Sequence, residues 1–272
     1  MDDRPIGVFD SGFGGLTVVR ALLDLVPAED LVYVGDTGRY PYGPRPLDQV
    51  RSYARQIARD LVDEHSVKMV VVACNTASAA ALDLLRFELD VPVVGVIDPG
   101  VRAALQASRN GRLGVIGTVG TISSGAYQRS VRAQRAPVTL VCAACPGFVE
   151  LVERGDTDSD QCLVLAERLL SPLRSEQVDT LLLGCTHYPF LARTIGDVMG
   201  REVVLVSSAE ETAFEVLSIM SETGLGHRTA AKGSHRFLSS GDVGWFRELG
   251  SRLLGLELDD VERISWDPAP HP

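Results

Sequence analysis

The sequence has no apolar run long enough to cross a membrane and little of the clustered positive charge that nucleic acids attract. Its formal net charge is −10. Only two lysines occur, Lys68 and Lys232, whereas pyridoxal chemistry requires a lysine that binds the cofactor. We therefore expect no membrane association, no direct nucleic-acid binding and no pyridoxal cofactor.

The cysteines are few and odd in number, which argues against a disulfide framework. They are Cys74, Cys142, Cys145, Cys162 and Cys185. The sequence starts with the acidic segment Met1-Asp2-Asp3-Arg4, which lacks the basic and apolar regions of a secretory signal. We therefore expect a soluble, cytoplasmic protein whose thiols stay reduced.

Cys142 and Cys145 form a C-x-x-C pair, a spacing found in redox and zinc sites. A zinc site normally shows two such pairs, and here one pair is followed by Pro146 rather than by the neighbours of a redox motif. We expect no metal, and a redox protein remains an alternative. Cys162 lies in a helical pattern and is expected in the core.

Short apolar runs alternate with segments of helical period, a pattern typical of parallel sheets covered by helices. The runs that predict strands are 6–9, 31–34, 70–72, 93–97, 113–118, 181–183 and 203–206. Helices are predicted between them, including 14–26 and 78–89, and the tail adds a short strand, 236–238, and a helix, 243–254. Ser208-Ala209-Glu210-Glu211 has the form of a helix capping box.

The pattern repeats after Asp98-Pro99-Gly100, which predicts a turn. Leu113 to Thr118 resembles Ile6 to Ser11 in apolar content and glycine placement. We predict an α/β fold of two pseudo-symmetric domains, each with a mainly parallel central sheet flanked by helices. Residues 1–98 and 207–272 would form the first domain, residues 99–206 the second, and the active site would lie in the cleft between them.

Two strands end in the same kind of sequence, Ala73-Cys74-Asn75-Thr76 and Gly184-Cys185-Thr186-His187. Ligands bind at the carboxyl ends of strands in open α/β sheets. Each cysteine precedes a polar run that starts a helix, where the helix dipole is expected to lower the thiol pKa. A lone cysteine is usually a small buried hydrophobe, but two in matching contexts predict a functional role.

Two more loops carry polar or glycine-rich sequence at predicted strand ends. In residues 10–15 the glycines let backbone amides approach an anion, as in a dinucleotide site. Asp10 would repel a pyrophosphate, however, and Thr17 stands where a dinucleotide site has its third glycine. Asp36 sits near the place of a ribose-binding acid, so a nucleotide site is kept as a minor alternative. Pro41-Tyr42-Gly43 offers a phenol and exposed backbone, or is an ordinary surface loop.

Two thiols that flank one small ligand suit the inversion of a carbon centre without a cofactor. A thiolate on one face removes the proton and a thiol on the other face delivers one. Asp10 and His187 are candidates to set the protonation states of the neighbouring thiols. Two related halves of the chain would place one thiol on each face of the ligand.

Six motifs together resemble the glutamate racemase family, within the aspartate/glutamate racemase superfamily. They are 10–12 with 14–15, 40–43, 73–78, 117–118 with Thr121, 145–146 and 184–189. The resemblance implies cofactor-independent interconversion of L- and D-glutamate, which supplies D-glutamate for peptidoglycan in the bacterial cytoplasm. It also implies the two-domain architecture with the site in the cleft.

The resemblance implies a role for each matching residue. Cys74 would be the base for the D-isomer, assisted by Asp10, and Cys185 the base for the L-isomer, assisted by His187. Glu153 stands where the family has an acid near the second thiol, although Glu150 is an acid where many members carry proline. The implied substrate-binding residues are Asp10, Ser11, Pro41, Tyr42, Gly43, Asn75, Thr76, Thr118, Thr121, Glu153, Thr186 and His187.

Several alternatives stay open at this point. Pocket depth decides side-chain selectivity, so a racemase of aspartate or another amino acid has the same motifs. A small-molecule-binding protein without turnover, or a redox protein, would use the same thiols differently. We expect a homodimer, and nothing in the acidic sequence supports the DNA gyrase interaction that some family members have.

Overall fold

The computed structural model of the protein describes residues 1–228, 231–255, 258 and 260–266. The strands are β1 Ile6–Asp10, β2 Leu31–Gly35, β3 Met69–Val72, β4 Val93–Gly95, β5 Arg112–Gly117, β6 Thr139–Ala144, β7 Thr180–Gly184, β8 Val204–Val206, β9 His235–Ser239 and β10 Val261–Arg263. The helices are α1 Leu16–Leu25, α2 Leu47–Asp63, α3 Asn75–Glu88, α4 Ile97–Ala107, α5 Val119–Ser123, α6 Ala126–Ala133, α7 Phe148–Arg154, α8 Asp160–Ser175, α9 Ala192–Met199, α10 Ala209–Thr223 and α11 Val243–Leu254, with a 3₁₀ turn at Tyr188–Leu191.

The strands form two parallel sheets. The first has the order β10-β9-β2-β1-β3-β4 and the second the order β6-β5-β7-β8. All neighbouring strands run parallel. The tail strand β9 pairs with β2 of the first sheet, so the chain returns to its first half as predicted. The predicted α/β class with two helix-flanked parallel sheets is confirmed, whereas the domain boundaries stay a prediction.

Corresponding strands of the two sheets carry the two cysteine motifs. In the first sheet β1 lies between β2 and β3, and in the second β5 lies between β6 and β7. Cys74 follows β3 and Cys185 follows β7, so each thiol stands at the carboxyl end of the strand beside the central one. The strands that precede these thiols are buried along their whole length, so the polar residues that follow them lie at the ends of the strands.

Helices cover both faces of each sheet through apolar stripes of helical period. Helix α2, for example, buries Val50, Ala54, Ile57 and Leu61, three or four residues apart, against the first sheet. Burying one large aliphatic side chain contributes about 1.5–3 kcal/mol. The rigid layers therefore hold the loops at the strand ends in fixed positions. Within the described residues, no helix combines the length and apolar character needed to span a bilayer.

Two local predictions are wrong. Asp98-Pro99-Gly100 is not a turn but part of the first turn of α4, where a proline is tolerated because the backbone N–H groups there have no partner within the helix. The capping box at Ser208 does not form, since its side chain makes no capping hydrogen bond. The preceding hydroxyl, Ser207 Oγ, accepts from the backbone N–H of Ala209 at 3.2 Å instead.

Candidate active site

A small cavity lies where the carboxyl ends of strands from both sheets meet. Its volume is about 90 Å³, and one water needs about 10–15 Å³ of such space, so it has room for a molecule of amino-acid size. Its wall is formed by Ser11, Tyr40, Pro41, Tyr42, Gly43, Pro44, Cys74, Asn75, Thr76, Thr118, Val119, Cys145, Pro146, Gly147, Val149, Glu150, Cys185, Thr186 and His187. Both thiols therefore border one cavity, each coming from a different sheet.

Cys74 caps the amino terminus of α3. Its Sγ accepts from the backbone N–H of Ala77 at 3.4 Å and donates to Ser11 Oγ at 3.7 Å. Burial raises the pKa of the Cys74 thiol to about 12, and the nearby Asp10 carboxylate adds to the rise, whereas these hydrogen bonds oppose it. The predicted lowering of this pKa is wrong, because burial outweighs the helix terminus. Cys74 is a neutral thiol at neutral pH.

Asp10 lies behind the cavity and joins the two halves of the protein. One carboxylate oxygen accepts from the Gly12 backbone N–H at 2.7 Å and from Ser11 Oγ at 3.4 Å. The other accepts from Thr186 Oγ1, beside Cys185, at 3.3 Å. Burial raises the pKa of Asp10 to about 6, against the lowering effect of His187 and these hydrogen bonds. A polar chain thus runs from the Cys74 thiol to the residue next to Cys185.

His187 stands between the second thiol and a carboxylate. Its Nδ1 is 3.9 Å from Cys185 Sγ, and its Nε2 is 3.5 Å from Glu153 Oε1. Burial alone lowers the pKa of His187, but its interactions with Cys185, Glu153 and Asp10 raise it to about 10. At neutral pH His187 is therefore an imidazolium, a proton donor within reach of the Cys185 sulfur.

Neutral polar groups complete the wall. The hydroxyls of Thr76, Thr118 and Thr121 form a triangle with sides of 3.0 to 3.1 Å, which joins α3 of the first half to α5 of the second. Asn75 donates through Nδ2 to Tyr127 at 2.8 Å, while its buried Oδ1 accepts no hydrogen bond within the described structure. The wall therefore carries threonine hydroxyls and a buried amide oxygen that accepts no hydrogen bond in the described structure.

Comparison with known proteins agrees with this geometry. A model of the Asp/Glu/Hydantoin racemase family matches residues 6–213. The chain belongs to this racemase family. It is 51% identical over 273 residues to a glutamate racemase of Parafrankia sp., an alignment that covers 100% of this chain and 97% of that protein. It is therefore an isomerase of the racemase class.

Solved structures of the family have the same fold. A glutamate racemase isoform from Bacillus anthracis superposes with a TM-score of 0.92 at 38% identity, over 98% of both chains. A glutamate racemase from Francisella tularensis, solved in complex with D-glutamate, superposes with a TM-score of 0.91 at 33% identity, over 97% of this chain and 98% of that one. The two-sheet architecture of this racemase is thus that of its family.

Three of the predicted site residues do not border the cavity. Asp10, Thr121 and Glu153 each lie one side chain behind it, in contact with a residue of the wall. The Tyr42 phenol that this loop was expected to offer donates its hydroxyl to the buried carboxylate of Asp36. The Pro41-Tyr42-Gly43 segment nevertheless forms wall rather than outer surface.

Several wall residues were not predicted as site residues. Tyr40 belonged to the motif that carried the resemblance, and its ring centroid lies 6.3 Å from that of His187. Cys145 borders the cavity and also belonged to a motif of the resemblance, but it was not among the predicted site residues. Cys145 and Cys142 pack into different apolar cores, the former with 148–152 and the latter with 113–115. This separation argues against a redox pair.

Proposed function

We propose that this racemase interconverts L- and D-glutamate without a cofactor, with Cys185 and Cys74 as the two acid/base groups. The observation that carries the proposal is one cavity whose wall includes Cys74 and Cys185, which come from different sheets and each have their own polar partners. The D-glutamate complex of the Francisella relative supports the choice of substrate.

In the direction from L to D, the Cys185 thiolate removes the Cα proton and the Cys74 thiol delivers its own proton to the opposite face. Cys74 becomes a thiolate and Cys185 a thiol, so the reverse reaction starts from the product state. The raised pKa of Cys74 keeps it protonated at neutral pH, as a donor must be. The cationic His187 stabilises negative charge at Cys185.

The difficult step is the formation of negative charge at a carbon next to a carboxylate. In this proposal fixed neutral donors, together with the cationic His187, hold that charge and the substrate carboxylates, since none of the described wall residues is a lysine or arginine. The Thr76 and Thr118 hydroxyls would meet the side-chain carboxylate. The unpartnered Asn75 Oδ1 would accept from the substrate ammonium.

The test is loss of optical activity from each pure enantiomer of glutamate, and separately of aspartate, without added cofactor. We expect turnover of glutamate, and faster turnover of aspartate would favour the alternative substrate. Cys74→Ala and Cys185→Ala should each lower racemisation by several orders of magnitude while the protein stays folded. Cys142→Ser, outside the cavity, is the matched control, and its inactivity together with an active Cys74→Ala would favour the redox alternative.

The cellular role follows from the same proposal. A cytoplasmic source of D-glutamate would supply peptidoglycan synthesis, and expression of this chain should restore growth to a bacterium that requires D-glutamate. A Cys74→Ala variant should not restore it. The homodimer stays a prediction, which sedimentation velocity checks.

A further inference from the structure

Outside the cavity, one fully buried carboxylate accepts hydrogen bonds from four side chains. The side chain of Asp36 is wholly inaccessible. It accepts from Arg39 Nε at 2.7 Å, from the Tyr42 hydroxyl, from Ser240 Oγ at 2.6 Å and from Trp266 Nε1 at 3.2 Å. An ionised carboxylate has about four acceptor positions, so these donors saturate it.

The two oxygens of Asp36 serve different parts of the chain. Oδ2 accepts from Arg39 and Tyr42, which belong to the loop that forms one cavity wall. Oδ1 accepts from Ser240 and Trp266, which belong to the tail. Because the carboxylate is planar and rigid, it holds the loop and the tail in a fixed relation.

On the loop side, the contact continues into the cavity and across to the second half of the protein. Tyr42 and Gly43 form part of the cavity wall. The carbonyl of Gly43 accepts from the backbone N–H of Gly120 at 2.9 Å. A Cβ added at Gly43 would lie 2.9 Å from the Thr118 side chain. With so little free space, a displaced Tyr42 would shift the wall against Thr118.

On the tail side, the contacts come from residues beyond the 6–213 segment that the family model matches. Trp266 also stacks near the guanidinium of Arg39, with 5.2 Å from Cζ to the ring centroid. Ser240 Oγ accepts from the Gly38 backbone N–H at 2.9 Å. The tail thus contacts the beginning of the loop, at Gly38 and Arg39, through two of its residues.

We propose that Asp36 is a positioning residue for the cavity wall at 41–43, and that Ser240 and Trp266 of the tail set the geometry of that wall through it. The inference rests on the proposed function, since the wall is taken to bind the substrate. A purely structural role predicts a change in stability alone. A positioning role predicts weaker substrate binding as well.

Trp266→Phe is the main test, because it removes the Nε1–H donor but keeps an aromatic ring in place. We expect KM for both enantiomers of glutamate to rise about threefold, or about 0.6 kcal/mol, with kcat within about twofold. The enantiomers have equal free energies in water, so kcat/KM must fall equally in both directions. Asp36→Asn, which loses acceptor capacity for two donors, should raise KM by about tenfold.

Glu262→Gln is the matched control in the same tail. Glu262 pairs with Arg236 at 2.9 Å, and both side chains are about half exposed. Such a pair contributes little, so KM and kcat should not change. A Trp266→Phe variant with a lower Tm but unchanged KM would overturn the inference, as would an equal rise of KM in the control. A wild-type protein inactive on glutamate would overturn the proposed function, and this inference with it.

Discussion

Replacing Asp10 by asparagine should stabilise the fold while it disables the enzyme. Asp10 is fully buried, and burial raises its pKa from 3.8 to about 6. The folded protein thus holds the Asp10 proton more tightly than the unfolded chain does. This contribution to stability is complete below pH 3.8 and is lost as the pH rises through about 6.

The size of the effect follows from the same values. The difference between 3.8 and about 6 corresponds to about 3 kcal/mol at pH 8, at about 1.36 kcal/mol for each pH unit. The neutral amide of Asp10→Asn would avoid this cost. It could not accept from both Gly12 and Thr186, however, and the lost hydrogen bond lowers the free energy of unfolding by about 1 kcal/mol. For a chain of this size, a net gain of about 2 kcal/mol raises Tm by roughly 4 °C.

Thermal denaturation of wild type and Asp10→Asn at pH 8 and pH 5 measures this gain. At pH 5 wild-type Asp10 is mostly protonated in the folded state, so the cost that the variant avoids should fall to about half. Racemisation by the variant should decrease by about 100-fold or more, since the polar chain behind Cys74 is altered. A variant that is less stable at pH 8, or equally stabilised at both pH values, would refute the assigned cost of this buried charge.

Three further predictions concern other buried charges and the wall. Glu153→Gln removes the carboxylate 3.5 Å from His187 Nε2 and should lower the pKa of His187 from about 10. The alkaline limit of the pH profile of kcat should therefore move to lower pH, and an unmoved limit contradicts the role of this pair. Lys68→Met leaves the buried Glu29 carboxylate without its cationic partner, which costs about 3–5 kcal/mol. Tm should fall by roughly 6 °C or more and KM should not change, as calorimetry and steady-state kinetics will show. Tyr40→Phe removes the buried hydroxyl of a ring whose centroid lies 6.3 Å from that of His187, and it should shift the pH profile of kcat. An unchanged profile would restrict Tyr40 to a packing role.

The sheets could be predicted because parallel strands buried on both faces have near-continuous apolar sequences. The runs before Cys74 and Cys185 are of this kind, and both cysteines stand at strand ends bordering one cavity. The turn predicted at Asp98 failed for a local reason. Pro-Gly is a turn signal, but proline is also compatible with the first turn of a helix, and packing decides between the two.

Properties that depend on contacts between distant segments could not be predicted. The helix terminus at Cys74 is visible in the sequence, but its burial, which raises the thiol pKa, arises only when segments that are distant in the sequence pack around it. The Tyr42 hydroxyl donates to Asp36, only six residues earlier, but the other oxygen of that carboxylate accepts from the distant tail. The tail donors of Asp36 are far away in sequence, at separations of 204 and 230 residues.

Early racemisation of L-glutamate in D₂O shows whether two thiols act from opposite faces of one substrate. D-glutamate formed at low conversion should carry deuterium at Cα, because Cys74 has exchanged with solvent, while the remaining L-glutamate keeps its original hydrogen. D-glutamate that retains the substrate hydrogen, or rapid deuteration of the remaining L-glutamate, would contradict this two-thiol mechanism.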